Sequence, residues 1–222
     1  MPRMKPIILI GDGNKLFVEL IVKELSNLLP SYKIIGADTP SSLMQQIKIL
    51  EPTLVIFCID MMDNNDISII KLINKNHKNL KTITLGAKNN DLYNQISIYY
   101  NANSYISKDT GGIENFIDCV KIVLKTDLYV SNQVSNTKSS FDKNLIFSLI
   151  ETMESLTKRQ SQVLTLSLKG YSNKEISEKM FITPKSVENY INKISNKLNL
   201  NTKKESYRNW IYNNSEVIKL IT

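Results

Sequence analysis

Between Lys5 and Leu124 short apolar runs alternate with stretches of helical period. The runs Ile7–Ile10, Lys33–Ile35, Leu54–Cys58, Thr82–Leu85 and Ser104–Ile106 are β-rich, and several end near a turn former such as Gly11, Gly36 or Gly86, the pattern of buried strands. Between them Leu16, Leu20, Ile21, Leu25 and Leu28 recur at helical spacing, as do Ile67, Ile70 and Ile73, and then Ile113, Phe116, Ile117 and Val120. Strict alternation of strand and helix predicts βαβ crossovers and a parallel sheet covered on both faces. Residues 1–130 are therefore expected to form an α/β domain around a five-stranded, doubly wound parallel sheet.

Residues 131–144 are polar, rich in Ser and Asn, and without periodicity, which reads as a linker. A short apolar segment, Leu145 to Met153, follows, so residues 131–154 are assigned as linker and short helix. Residues 155–222 are purely helical in pattern. Thr157 with Gln160, Ser172 with Glu175, and Thr202 with Glu205 each place a hydroxyl at a helix start and an acceptor three residues on, the capping-box spacing. Thr183-Pro184 marks a fourth start, since proline at the first helical position gives up no intrahelical hydrogen bond. Gly170 fits the left-handed position that ends the first of these four helices.

Composition narrows the function. A chain of 222 residues with 42% hydrophobic content can bury two cores, which excludes disorder along the whole chain. Its longest near-continuous apolar run, Leu54 to Ile59, is far below the roughly 18 residues of a membrane span. The four apolar residues Ile7 to Ile10 are too few for a secretory core, so no export is expected. Cys58, Cys119 and the single His77 make neither a disulfide framework nor a zinc ligand set, so neither metal nor cofactor is expected and a reducing compartment is. The net charge of +7 is unevenly placed: residues 1–130 carry fourteen Lys/Arg against thirteen Asp/Glu, and residues 131–222 carry fourteen against eight. The basic excess of the C-terminal part points to a polyanionic partner.

The third of the four helices, Pro184 to Leu198, carries the chemistry for such a partner. Val187, Ile191, Ile194 and Leu198 form one apolar stripe for burial. Lys185, Asn189, Asn192 and Asn196 cluster opposite, flanked by Glu188, Lys193, Ser195 and Lys197. Asn pairs in bidentate fashion with the adenine edge, Glu accepts from cytosine, and Lys neutralises phosphate, so this face suits the major groove of double-stranded DNA.

The series Leu156-Thr157-Lys158-Arg159-Gln160 with Val163-Leu164, Gly170-Tyr171-Ser172-Asn173-Lys174-Glu175-Ile176, Ile182-Thr183-Pro184-Lys185-Ser186-Val187, and Ile194 with Lys197-Leu198 resembles the LuxR/GerE-type helix-turn-helix over residues 155 to 213. The resemblance implies that Asn173–Met180 supports a recognition helix, Pro184–Leu198, that the last helix pairs two subunits, and that Glu188, Asn189 and Asn192 occupy base-contacting positions. Tyr190 stands where relatives often carry histidine. Residues 155 to 210 hold eleven Lys/Arg against four acidic residues, a balance that makes polyanion binding salt-sensitive.

An α/β domain followed by this module resembles the NarL/FixJ class of response regulators, which implies a receiver-like, flavodoxin-like first domain. The family's phosphoryl-transfer positions are only partly kept. Gly11 and Asp12 stand where an acidic pair holds Mg²⁺, Cys58 stands where the acceptor aspartate belongs, and Gly86 replaces a hydroxyl residue. Lys108 is retained. Aspartyl phosphorylation requires a carboxylate nucleophile and a divalent ion, so ordinary phosphorylation is not expected. Asp60 and Asp63 follow closely, and Asp60 is the alternative acceptor. Two readings stay open for Cys58: an inert buried thiol, or a redox-sensitive one if Lys108 favours its thiolate.

The leading expectation is a sequence-specific DNA-binding transcription regulator, not an enzyme, acting as a homodimer. By resemblance a sensor kinase or RNA polymerase would be a further partner. A nucleotide-binding α/β enzyme is the alternative, although Gly11-Asp12-Gly13 lacks the Gly-rich dinucleotide fingerprint and no Walker sequence occurs. A helical module that binds only protein is a third. The 30 Ile, 25 Asn and 25 Lys, together with a resemblance to plastid-encoded members, point to a plastid stroma, with a bacterial cytoplasm as the other setting.

Overall fold

The computed structural model describes residues 5–61, 68–77, 79–86, 91–109, 112–126, 130–131, 143–200 and 207–221. The chain divides into two compact units, Met1–Phe141 and Asp142–Thr222.

The first unit alternates β1 (Ile7–Gly11), α1 (Lys15–Leu28), β2 (Lys33–Ala37), α2 (Pro40–Leu50), β3 (Leu54–Cys58), a 3-10 turn (Ile59–Met61), α3 (Ser68–Asn76), β4 (Lys81–Gly86), α4 (Asp91–Tyr99), β5 (Ser104–Ser107), α5 (Gly112–Lys125) and β6 (Val130–Ser131). All strand pairs are parallel, in the order β2-β1-β3-β4-β5-β6. The five expected strands are present. A two-residue sixth strand extends this sheet at its edge and draws Ser131 out of the segment read as linker. Two residues at a sheet edge are too short to show alternation, which is why the sequence does not reveal it. The rest of that segment up to Asp142, like Ile67 and the Thr202–Glu205 cap, lies outside the described residues.

The sheet is apolar on both faces, with Ile8, Leu9, Ile10, Leu54, Val55 and Ile56 fully buried, as a helix-covered parallel sheet requires. Helix starts follow local chemistry. The Asn14 side chain accepts from the Phe17 N–H at α1, and Thr39 accepts from Ser42 N–H ahead of Pro40 at α2. The stripe that α1 buries is Val18, Ile21 and Leu25; Leu16, Leu20 and Leu28 are exposed. Five apolar positions wrap further around a helix than one sheet face can cover, so periodicity alone chose too many. On α5 likewise Ile113 turns outward while Phe116, Ile117, Cys119, Val120 and Val123 are buried.

In the second unit α6 (Lys143–Ser155), α7 (Lys158–Leu168), α8 (Asn173–Met180), α9 (Pro184–Lys197), α10 (Tyr207–Asn213) and α11 (Ser215–Ile221) pack around Ile146, Ile150, Val163, Leu164, Ile176, Val187, Ile194, Trp210 and Ile218. Helix α9 packs on α7 and α8, α10 on α7, and α11 on α6. Both capping boxes that lie in described residues are formed, at Thr157 with Gln160 and at Ser172 with Glu175. Gly170 takes φ +85°, the left-handed conformation anticipated for it. The apolar segment 145–153 becomes α6, which belongs to the second unit, and the C-terminal stretch forms two helices, α10 and α11, rather than one.

Candidate nucleic-acid interface and strand-end pocket

Helix α9 begins where Thr183 Oγ1 accepts from the Ser186 N–H at 3.1 Å, with Pro184 as its first residue. Val187 and Ile194 are fully buried, which fixes the rotation of the helix; Ile191 and Leu198 are half-buried. Lys185, Glu188, Asn189, Asn192, Lys193, Asn196 and Lys197 are all exposed. The seven sequence-selected residues therefore lie on the solvent side of one helix. Ser195 does not: it is buried beside Ile194, because the covered sector is wider than the apolar stripe.

Three of these side chains have partners that the sequence reading missed. Lys185 Nζ lies 2.8 Å from Glu188 Oε2, a pair legible from its three-residue spacing. Lys197 Nζ donates to the Ser155 carbonyl, 2.6 Å away, where basic charge meets the C-terminal end of α6. Both carboxylate and ammonium of the first pair are exposed, so parting them for another partner costs at most about 1 kcal/mol. Phe181, at the turn between α8 and α9, also went unnoticed. It is 95% exposed and adopts φ 53°, a left-handed conformation.

In the first unit the chain leaves β1 in one direction for β2 and returns on its other side at β3, so the strand order reverses beside β1. The carboxyl ends of these strands form the crevice in which open α/β sheets place ligands. Asp12 directly follows β1, Cys58 ends β3 and Lys108 directly follows β5. The structure brings all three together. Asp12 is 3% exposed, and its Oδ1 accepts from Asn14 N–H at 2.9 Å. Lys108 Nζ sits 2.5 Å from Asp12 Oδ2 and 4.9 Å from the centroid of the Phe17 ring. Burial pulls the Lys108 pKa down, but the hydrogen bond and charge of Asp12 and the Cys58 sulfur outweigh burial and hold it above the ordinary 10.5. Cys58 is 3% exposed. The other cysteine, Cys119, is buried with its thiol 3.1 Å from Ser104 Oγ, and burial raises its pKa.

This donor set fits Mg²⁺ poorly. A hard divalent ion prefers several oxygen ligands, whereas here the buried Asp12 carboxylate is already neutralised by an ammonium and the neighbouring group is a thiol. Among the described residues no group of three or more His, Cys, Asp or Glu is placed to hold a metal ion. Asp60 lies in the 3-10 turn after Cys58, and Asp63 lies outside the described residues. Position 86 is filled in another way: a Cβ there would collide with the Tyr105 hydroxyl.

A receiver-like α/β unit followed by a helical unit with an exposed polar helix after a short turn is the architecture of response-regulator transcription factors. Residues 154–209 match the family of bacterial regulatory proteins known as the luxR family. Over 214 residues the chain is 23% identical to the transcriptional regulatory protein DegU of Brevibacillus brevis, covering 90% of each chain. Over 157 residues it is 27% identical to the DNA-binding transcriptional activator EvgA of Escherichia coli K12, covering 71% of this chain and 74% of the other. A structure of RcsB dimers bound to two parallel DNAs shares the fold, with a TM-score of 0.56 at 16% identity over 99% of this chain and 100% of that one. Residues 154–209 thus form a luxR-family helix-turn-helix domain, and the chain's homologues are DNA-binding response regulators of the NarL/FixJ type. These relatives are transcription regulators, not enzymes. Among the described residues no helix is long and apolar enough to cross a membrane.

Proposed function

We propose that this chain regulates transcription by inserting α9 into the major groove of double-stranded DNA as a homodimer. The observation that carries the reading is the exposed face of α9, where Asn189 and Asn192 stand opposite the fully buried Val187 and Ile194 within a luxR-family domain. Asn189 and Asn192 read adenine edges, Glu188 reads cytosine, and Lys185, Lys193, Asn196 and Lys197 hold the phosphates. RcsB, which shares the fold, binds DNA as dimers, and this supports dimeric binding here.

The first unit acts in this reading as a receiver that takes no phosphate on aspartate and catalyses no reaction, with Asp12, Cys58 and Lys108 as remnants of the pocket. The Asp12–Lys108 pair supports it, since an ammonium occupies the carboxylate that a divalent ion would need. Its partners are then a second copy and RNA polymerase rather than a kinase that phosphorylates Asp60. We assign residues 1–130 to the receiver, 131–154 to the connection and short helix, and 155–222 to DNA binding; the Ile, Asn and Lys bias supports a plastid stroma as the setting. Fluorescence anisotropy of labelled duplex at two salt concentrations tests DNA binding, with affinity expected to fall steeply as salt rises. Treatment with acetyl phosphate and Mg²⁺ tests the receiver: the intact mass is expected to stay unchanged, and a phosphate adduct lost in Asp60→Asn contradicts this half of the reading.

A further inference from the structure

Beside the strand-end pocket the first unit contains a cavity of about 230 Å³ between α1, α5 and the ends of β4 and β5. An apolar cavity of roughly 150 Å³ is large enough to take up benzene, and this one opens to solvent on one side. Its walls are Phe17 and Ile21 of α1, Leu85 of β4, Ile106 of β5 and Phe116 of α5, of which Leu85 is 1% exposed and Ile106 is 7% exposed. Gly112 and Ile113, both exposed, stand at the first turn of α5 and form the rim. Among the described residues, Ser107 and Lys108 bring polar groups to the lining.

Lys108 decides what can enter. Its ammonium has three N–H donors, is paired with Asp12 and lies over the Phe17 ring, and Lys108 also lines the cavity, so the ammonium is the cationic donor within reach of an acceptor placed there. Asp12 already balances the charge of Lys108, so an anionic ligand would bring a second carboxylate against Asp12, and a cationic one would meet Lys108 itself. An uncharged molecule avoids both costs. Phe17 and Phe116 supply aromatic walls for a ring.

We propose that this cavity is a binding site for an uncharged single-ring compound carrying one carbonyl or hydroxyl acceptor, with the ring between Phe17, Ile106 and Phe116 and the acceptor on Lys108. The site uses the apolar side of the sheet ends, and it stands whether or not the chain accepts phosphate or binds DNA. It gives the first unit a small-molecule input that needs no acceptor aspartate.

The test uses the full chain with acetophenone as probe and ethylbenzene, which has the same ring and nearly the same shape but no acceptor, as control. Isoleucine and leucine methyl resonances are followed by NMR during titration. The expected result is saturable acetophenone binding with shifts confined to the methyls of Ile21, Leu85, Ile106 and Ile113, at least tenfold weaker binding of ethylbenzene, and at least tenfold loss of acetophenone affinity in Ile113→Trp, whose indole covers the rim. Lys108→Met is expected to remove the preference for acetophenone over ethylbenzene. Should that variant unfold, the comparison of the two probes on the unaltered chain still decides. Absence of saturation, equal affinity for both probes, or shifts scattered over both units would overturn the proposal.

Discussion

The Tyr105 hydroxyl fills the space that any side chain at Gly86 would need. The ring carbons Cε2 and Cζ stand 3.0 Å from the position of a Cβ at residue 86, and Tyr105 is only 7% exposed, so the ring has little room to retreat. The Tyr93 ring is a further neighbour, with centroids 6.4 Å apart. Gly86→Ala is therefore expected to overpack this corner and cost about 1–3 kcal/mol. Tyr105→Phe in the same background removes the atom of closest collision and should return part of that loss. Urea unfolding of the two single variants and the double variant checks this. Strictly additive effects would show that the two positions do not meet.

Lys108 and Asp12 form a pair whose carboxylate is almost wholly buried and whose ammonium is 23% exposed. Removing the cation leaves a buried charge without compensation, so Lys108→Met is expected to destabilise the first unit by roughly 2–3 kcal/mol, the low end for buried pairs because water reaches the ammonium. Adding Asp12→Asn should recover much of this loss. The pKa of Lys108 is raised above 10.5 in the folded chain, so its contribution is present below the unfolded value and disappears as pH rises through the folded one. Denaturation midpoints of the unaltered chain are expected to fall above about pH 10.5. The double variant should lack the part of that fall caused by Lys108.

Tyr207 offers an alkaline marker in the other unit. Burial pushes its phenol up to about 12, with the Ser167 hydroxyl and the Arg208 charge offsetting part of the effect. A raised phenol pKa favours the folded state below the unfolded value near 10 and withdraws that support between about pH 10 and pH 12. Spectroscopic titration should show a late phenolate that Tyr207→Phe removes.

The capping boxes of α7 and α8 set the frame on which α9 rests. In the second box the Ser172 hydroxyl and backbone N–H hold the Glu175 carboxylate below its usual range. Thr157→Ala and Ser172→Ala are each expected to lower the stability of the second unit by about 1 kcal/mol and to leave the first unchanged. Domain-resolved hydrogen exchange distinguishes this from a general loss.

Sequence carried the alternation of the first unit and the caps of the second because both rest on local chemistry: five strands, two described capping boxes and Gly170 follow from residues within one turn of each other. The direction of the α9 face was legible for the same reason, through Val187 and Ile194. What depends on distant residues was not. The exposure of Leu16 and Leu20 is decided by how much of α1 the sheet can cover. The seating of Tyr105 over Gly86 joins two adjacent strands, and the hold of Ser155 on Lys197 spans 42 residues. Edge strand β6 has no length in which a pattern could appear. The receiver positions Asp12, Cys58 and Lys108 were found by resemblance, but their contact needed the strand order.

Sequence preference in this protein rests on Asn189 and Asn192 reading bases. Selection of bound duplexes from a random pool by the full chain, repeated with Asn189→Ala and Asn192→Ala, tests it directly. The expected result is an enriched motif for the unaltered chain, with preference lost at one adenine position in each variant, a discrimination worth about 1–3 kcal/mol, while salt-dependent binding to unselected DNA persists. Identical motifs from all three proteins would contradict the assignment of α9 as the reading helix.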